Sequence, residues 1–156
     1  MQNLYEAVLG EKNRIYYLKK FKQFDLNPPG LNASWNWPAF IFGGVWALYR
    51  KMYGWFFAFF GIIVISEILE KSGATGISDL IVIAPWIAFT IYANSLYHGS
   101  VKKTIAVAQF VFKDDSKLVE YLNHKGGVHT WVIWVFGLVP AIGILAAILI
   151  PMFARH

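Results

Sequence analysis

Residues 35–53 read WNWPAFIFGGVWALYRKMY, and this stretch decides how the chain is organised. It is rich in aromatic and apolar side chains and ends at the basic pair Arg50 and Lys51. Residues 39–49 carry no charge, but as a helix they reach only about 17 Å, well short of a hydrocarbon core of roughly 30 Å. The sequence therefore predicts a short helix over residues 38–49 that does not cross a membrane as an unaided straight helix.

Two glycines, Gly43 and Gly44, lie in the middle of this short helix. Glycine weakens a helix interior, and its missing side chain also lets a neighbouring helix come close. Pro38 suits the first turn of a helix, where a backbone N–H would be unpaired in any case. The sequence leaves both roles of the glycines open.

The composition around this segment is that of an integral membrane protein. Of the residues, 57% are hydrophobic and 15% charged, against about 45–50% and about 25% in soluble domains. The apolar residues form blocks that predict transmembrane helices over residues 52–69, 80–97 and 130–153. Pro85 and Pro140 are expected to kink the second and third of these. The third also carries Gly143 and Ala147 at the small-xxx-small spacing of helix packing.

The basic residues predict the orientation of these spans. With three spans and the N-terminus inside, Lys71 and Arg155 are the only two of the 14 basic residues left outside. A fourth span over residues 38–49 would leave seven on each side. The positive-inside rule therefore favours three spans plus a short helix that is re-entrant or interfacial. The same rule explains the net charge of +5, so nucleic acid is not an expected partner.

The predicted membrane domain covers residues 35–156 and follows a cytoplasmic amphipathic segment over residues 1–34. A helix is predicted over residues 4–24, either lying along an anionic membrane face or packed on the rest of the protein. Its apolar side is expected to carry Leu4, Val8, Ile15 and Leu18.

A cytoplasmic loop is predicted over residues 99–129, between the second and third spans. The second span should continue as a helix to about Phe112. A short amphipathic helix follows over residues 115–123, and Gly126-Gly127 should end it in a left-handed cap.

Several runs of this chain resemble the signature of a family of small bacterial membrane proteins, domain of unknown function 2628. They are Asn36-Trp37-Pro38-Ala39-Phe40, Phe42-Gly43, Trp46 and Leu48-Tyr49-Arg50-Lys51-Met52-Tyr53, with weaker matches at Tyr16-Tyr17-Leu18, Phe21, Ala93-Asn94-Ser95-Leu96-Tyr97, Val101-Lys102-Lys103 and Gly126-Gly127. The chain departs from the family pattern at Pro38, Gly44 and Val128-His129. The resemblance implies a multi-span protein of the bacterial inner membrane, with no established activity and no catalytic residues.

Two polar residues within the predicted spans are candidates for function. Glu67 is an acidic residue in an apolar run, where it could serve an ion pathway or pair with Lys71 at i+4 near the end of the span. Asn94 could join helices by hydrogen bonds or contact a substrate.

The sequence offers no recognisable catalytic motif. Triad, paired-carboxylate and phosphate-loop patterns are missing, and the absence of cysteine excludes thiol chemistry. His98, His124 and His129 could in principle meet at a metal ion, but their spacing matches no metal motif. We therefore expect no enzyme activity, cofactor or metal.

The basic pair at the end of the short helix has several possible roles. Arg50 could lie over Trp46, bind lipid phosphate, dock an acidic partner or anchor the topology. The residues expected to contact lipid or a partner protein are Trp37, Phe40, Phe42, Trp46, Tyr49, Arg50 and Lys51. The favoured function is a non-enzymatic accessory or scaffolding subunit of a larger membrane complex, and the alternative is a small oligomeric transporter or channel that uses Glu67 and Asn94.

Overall fold

The structure, a computed structural model, describes residues 2–138, 142, 143, 145 and 147. These residues are mostly helical and contain no strand, which confirms the predicted all-helical class. The helices are α1 (Gln2–Leu9), α2 (Arg14–Leu26), α3 (Trp37–Phe42), α4 (Gly44–Tyr49), α5 (Tyr53–Lys71), α6 (Thr75–Val111), α7 (Asp115–Lys125) and α8 (Trp131–Ile133), the last continuing as a π-helix over Trp134–Leu138. Most of the predicted third span, including Pro140, lies outside the described residues.

Helix α6 is the axis of the fold. Its 37 residues are about 55 Å long, nearly twice the thickness of a hydrocarbon core. Its first half pairs with α5 as an antiparallel hairpin, in which Ser66 donates a hydrogen bond to the Ser78 carbonyl (3.4 Å). One face of its second half, from Phe89 onwards, is buried against α1, α2, α4 and α7. The buried residues recur every three or four positions along one face: Phe89, Ala93, Tyr97, Val101, Ile105 and Ala108.

Helix α6 thus joins two different parts of the molecule. We call α1, α2, α7 and the second half of α6 the head. Outside the head, α5 and the first half of α6 form the apolar hairpin. Helices α5 and α6 are both long and apolar enough to cross a membrane.

Helix α5 buries none of its residues inside the protein. It is 19 residues long, or about 28 Å, close to the thickness of a hydrocarbon core. Its exposed side chains are large and apolar and include Phe57, Phe60, Ile63, Val64, Ile65 and Ile68. Such a helix is not covered by the described part of the chain.

The single helix predicted over residues 4–24 is wrong, because the structure has two helices there. The backbone reverses through left-handed conformations at Gly10 (φ +63°) and Asn13 (φ +60°). The break shifts the helical phase, so Ile15 is 85% exposed instead of lying on the apolar side, whereas Tyr17 and Phe21 are buried. Both helices pack on α6, which is the second of the two predicted arrangements.

The helix predicted over residues 38–49 is also divided into two, α3 and α4. Asn36 caps α3 by accepting a hydrogen bond from the Ala39 N–H (2.9 Å), and Pro38 lies in the first turn as predicted. Gly43 ends α3 with φ +50°, a conformation that a side chain would disfavour. A Cβ on Gly44 would lie 2.8 Å from the Cβ of Phe59 in α5. One glycine therefore turns the chain, and the next lets α4 contact α5.

The segment leading into α3 runs along α6. The Asn36 N–H donates a hydrogen bond to the Thr90 carbonyl (3.2 Å). A carbonyl oxygen has two lone pairs, so a carbonyl within a helix can accept such an additional hydrogen bond. One turn nearer the start of α6, the Phe40 ring stacks on Trp86 with centroids 5.1 Å apart, and the Trp86 indole donates to the Phe40 carbonyl (2.8 Å). The chain therefore advances from the head towards the apolar hairpin.

After Gly43 the chain returns along α6. The Trp46 ring contacts Phe89 and then Tyr97, with centroids 5.8 and 6.2 Å apart. Arg50 ends the return beside Tyr97. Residues 37–49, which we call the α3–α4 hairpin, thus begin and end at the same end of the apolar hairpin, and their insertion into a membrane stays a prediction.

The short helix predicted over residues 115–123 is confirmed as α7. Asp114 caps it by accepting a hydrogen bond from the Ser116 N–H (2.8 Å). The left-handed residue is Gly127 (φ +73°), whereas Gly126, the cap itself, is extended. A Cβ on Gly126 would lie 2.3 Å from the Val8 carbonyl oxygen, which accepts a hydrogen bond from the Gly127 N–H (2.8 Å). The glycine pair is therefore needed because the backbone of α1 passes directly against it.

Candidate functional site

The side chain of Arg50 is buried among tyrosines contributed by three helices. Only 3% of the residue is exposed. The guanidinium carbon lies 4.4 Å from the ring centroid of Tyr17, 5.3 Å from that of Tyr97 and 5.5 Å from that of Tyr49. Aromatic faces stabilise a desolvated cation by roughly 2 kcal/mol. These tyrosines, instead of the predicted Trp46, provide the cation–π contacts of Arg50.

The charge of Arg50 has few polar partners. One Nη donates to the Lys12 carbonyl (3.3 Å), and the buried Nε has no hydrogen-bond partner within the described part of the chain. The ion pairs there are those of Asp25 with His98 and Lys102, so no carboxylate neutralises Arg50. A buried cation with an unused donor is costly unless it is paired. The charge of Arg50 is therefore stabilised by aromatic rings and one carbonyl, and by no carboxylate of the described residues.

Lys51 fastens the corner between α4 and α5 to the loop that follows α7. It adopts a left-handed conformation (φ +61°), and its ammonium donates to the carbonyls of Lys125 (3.1 Å) and Gly126. Burial lowers the pKa of Lys51 below its usual range, and the nearby charge of Lys125 lowers it further. An anion beside these two lysines would relieve the repulsion between them.

A cavity of about 290 Å³ opens between this corner, the head and the loop after α7. Its charged lining is basic throughout, and the described lining includes no aspartate or glutamate. Four residues that carry hydroxyl groups line the same space: Tyr53, Tyr97, Ser100 and Thr104. We call it the basic cavity; its basic and imidazole residues are Arg50, Lys51, His124, Lys125 and His129.

Arg50 also lines a second cavity, of about 330 Å³, which is mostly apolar. Its walls come from α2, the α3–α4 hairpin and the start of α8, and they include Tyr17, Phe42, Val45, Trp46, Ile133 and Phe136. The buried guanidinium therefore borders both a basic and an apolar cavity.

Asn94 is fully buried and holds the segment before α3 against α6. Its oxygen accepts from the Asn36 amide (2.8 Å), and its nitrogen lies within donating distance of the Tyr16 hydroxyl (3.2 Å) and the Ser34 side chain and carbonyl (3.1 and 3.2 Å). The amide's donors and acceptor are thus all engaged within the protein. These contacts are those of a structural joint between segments.

Glu67 lies far from Asn94. It is exposed on α5, and the ion pairs among the described residues do not include the predicted pair with Lys71. The contact of Ser66 with Ser78 sets the register of the apolar hairpin and places Asn94 roughly 25 Å further along α6 than Glu67. The two polar residues do not come together in one site.

The residues predicted to contact lipid or a partner divide into two groups. Trp37 and Phe42 are 65% and 55% exposed; Trp37 begins the α3–α4 hairpin and Phe42 lies beside its turn at Gly43. Trp46 and Arg50 are buried. Phe40, Tyr49 and Lys51 are partly buried. The accessible apolar part of the predicted surface is therefore the start and the turn of this hairpin.

A polar cluster in the head was not predicted from the sequence. Asp25 accepts a hydrogen bond from the Tyr5 hydroxyl (2.8 Å) and pairs with His98 (3.1 Å) and Lys102 (3.3 Å). Burial tends to raise the pKa of Asp25, but the hydrogen bonds from Tyr5 and Lys102 outweigh it and hold the pKa below its usual range. Only the i,i+4 spacing of His98 and Lys102 was visible in the sequence, because α1, α2 and α6 each supply a part.

The histidines do not form a metal site within the described residues. His98 belongs to the Asp25 cluster, whereas His129 contacts the Tyr53 hydroxyl and the Trp131 ring. No group of three or more histidine, aspartate or glutamate side chains there could hold a metal ion.

Comparison with known protein families gives one match, over residues 8–103, to a family described as proteins of unknown function (DUF2628). Searches among curated proteins and solved structures gave no significant match. The matched residues include α2, the α3–α4 hairpin, α5 and most of α6, with both Arg50 and Lys51. The match ends before Gly126-Gly127, to which the sequence resemblance had extended. Since well over half of its residues are matched, the chain belongs to the DUF2628 family.

Proposed function

We propose that this chain is an integral protein of the bacterial inner membrane with its head in the cytoplasm. The observation that carries the proposal is α5, a 19-residue helix that is apolar and unburied over its whole length. The first half of α6 would be its antiparallel neighbour, and residues 130–153 would supply the third span. Exposing this much apolar surface to water is unfavourable, whereas lipid covers it without cost.

The α3–α4 hairpin would enter and leave the cytoplasmic leaflet in this arrangement. Ile41 and Phe42 are exposed near its turn, at the level of the apolar hairpin, and Trp37 is exposed at its start. Its ends lie beside Asn94 and Arg50, in the head. Non-helical backbone at Gly43 is tolerated at membrane depth where protein covers it, and α5 and α6 are the neighbouring helices.

We infer that the protein acts as a non-enzymatic accessory or scaffolding subunit. The exposed apolar residues continue from α5 to the turn of the α3–α4 hairpin, so one side of the molecule offers a broad surface to another integral membrane protein. The polar clusters of the described residues join separate helices, as Asp25 does with Tyr5, His98 and Lys102. Both features favour a packing role.

Site-specific photocrosslinking tests this role in native membranes. A photoreactive residue at Phe60 of α5 or at Trp37 should crosslink to a membrane protein in stoichiometric yield. The same group at Lys19, which is exposed on the head, is the matched control and should not. Recovery of only the uncrosslinked monomer from all three positions, with gentle solubilisation also giving a monomer, would rule out a stable partner.

The transport alternative gains no support from the described geometry. Glu67 and Asn94 are roughly 25 Å apart along the direction of α6, and the Asn94 amide is engaged within the protein. In proteoliposomes, the Glu67→Gln variant should therefore behave like the wild type in any flux assay.

A further inference from the structure

We propose that the basic cavity binds a phosphate-bearing anion, held by Arg50, Lys51 and Lys125. This site is separate from the apolar surface of the scaffolding role, and only its placement at the membrane interface rests on the proposed membrane arrangement. The volume of about 290 Å³ is roughly ten times that of one water molecule, which is ample for a phosphate group and part of what carries it.

The first observation is the uniform sign of the lining. Two segments distant in sequence bring the basic side chains together: the α4–α5 corner, and the end of α7 with the loop that follows it. In the described lining no carboxylate balances them. Lys51 is partly buried within reach of the Lys125 charge, and burial together with that charge lowers its pKa. Like charges gathered in a partly dry space are stabilised by an anion between them.

The second observation is Arg50, which lines the cavity and of which only 3% is exposed. Its Nε has no hydrogen-bond partner among the described residues. The planar guanidinium presents donors that match phosphate oxygens two at a time. The cavity wall therefore carries the charge of Arg50, which no carboxylate of the described residues neutralises.

The third observation is the position of the cavity. Tyr53 at its rim begins α5, and His129 immediately precedes the segment that enters α8. Both are points where an apolar helix leaves the head, so the cavity lies at the level expected for lipid headgroups. The phosphate can therefore come from a lipid headgroup or from a soluble phosphate compound, and the chemistry of recognition is the same.

Thermal unfolding of the full chain in a neutral detergent, titrated with inorganic phosphate, tests the site. Chloride at matched ionic strength controls for general screening. Lys125 is exposed, so Lys125→Gln should fold normally and weaken phosphate binding about fivefold. Lys117→Gln removes the same charge from the same helix outside the cavity and should bind as the wild type does.

Equal stabilisation by phosphate and chloride, or equal affinities of the two lysine variants, would overturn the proposal. The source of the phosphate is assigned by repeating the titration in nanodiscs made of phosphatidylcholine alone or with phosphatidylglycerol. If phosphatidylglycerol weakens the binding of inorganic phosphate in the wild type but not in Lys125→Gln, the site takes a lipid headgroup. If binding is unchanged, the site takes a soluble phosphate compound. Both results keep the cavity as the anion site.

Discussion

Replacing Asn94 by leucine should unfold the joint that holds the α3–α4 hairpin to α6. The amide is fully buried, and it can make at most three hydrogen bonds at one time with its surrounding partners, one through its oxygen and two through its nitrogen. At about 1 kcal/mol for each bond, their loss amounts to about 3 kcal/mol. Leucine has a similar size, so little of the effect comes from an empty cavity. The Asn36 amide left without its acceptor adds to the cost.

Tryptophan fluorescence during unfolding in detergent measures this change, because Trp35 and Trp37 flank the joint. Asn123→Leu is the matched control: Asn123 is exposed on α7, and surface changes of this kind stay within about 0.5 kcal/mol. If the two variants unfold alike, Asn94 does not hold the hairpin. A substrate role for Asn94 would instead leave stability intact and abolish a flux.

Two further variants test the packing and the electrostatics. Gly44→Ala should destabilise the protein by about 1–3 kcal/mol, because its Cβ would meet Phe59 in α5. Gly54→Ala, at an open position of α5, should instead stabilise it by about 0.5–1 kcal/mol, and thermal unfolding separates the two. The depressed pKa of Asp25 means that its contribution to stability is present above the unfolded pKa of about 3.9 and is lost as the pH falls through the folded pKa. The stability difference between the wild type and Asp25→Asn should therefore shrink below about pH 4, and a constant difference would show that the Asp25 cluster is not charged as described.

The length of the apolar segments and the distribution of charged residues predicted those helices whose formation depends on the local sequence. The short uncharged segment and the distribution of basic residues indicated a helix that does not cross the membrane. In the structure this segment begins and ends at the same end of the apolar hairpin. The pattern of residues 115–123 with Gly126-Gly127 after them predicted α7 from sequence alone. The pattern of apolar residues predicted one helix over residues 4–24, which is wrong because the left-handed residues Gly10 and Asn13 interrupt it. The spacing of the apolar residues does not reveal this break.

The site was less predictable, because its contacts join distant parts of the sequence. The i+4 spacing pointed Arg50 towards Trp46, whereas Tyr17 and Tyr97 come from α2 and α6 and surround the guanidinium only after the head has packed. Lys51 was visible as a basic residue, but its hydrogen bonds to the loop after α7 required the glycine pair to fit against α1. The sequence identified Arg50 and Lys51 as candidates, but it did not predict which side chains and carbonyls they contact.

Cysteine labelling in intact cells and in inverted membrane vesicles tests the topology on which the proposed function rests. The chain has no native cysteine, so single substitutions report without background. Leu31, which precedes α3, and Lys103, in the second half of α6, are exposed at the head, whereas Ser72 is exposed at the far end of the apolar hairpin. A re-entrant α3–α4 hairpin predicts that Leu31→Cys and Lys103→Cys react from the cytoplasmic side and that Ser72→Cys reacts from the opposite side. Labelling of Leu31→Cys from the side opposite to Lys103→Cys would contradict the account, since the α3–α4 hairpin would then cross the membrane.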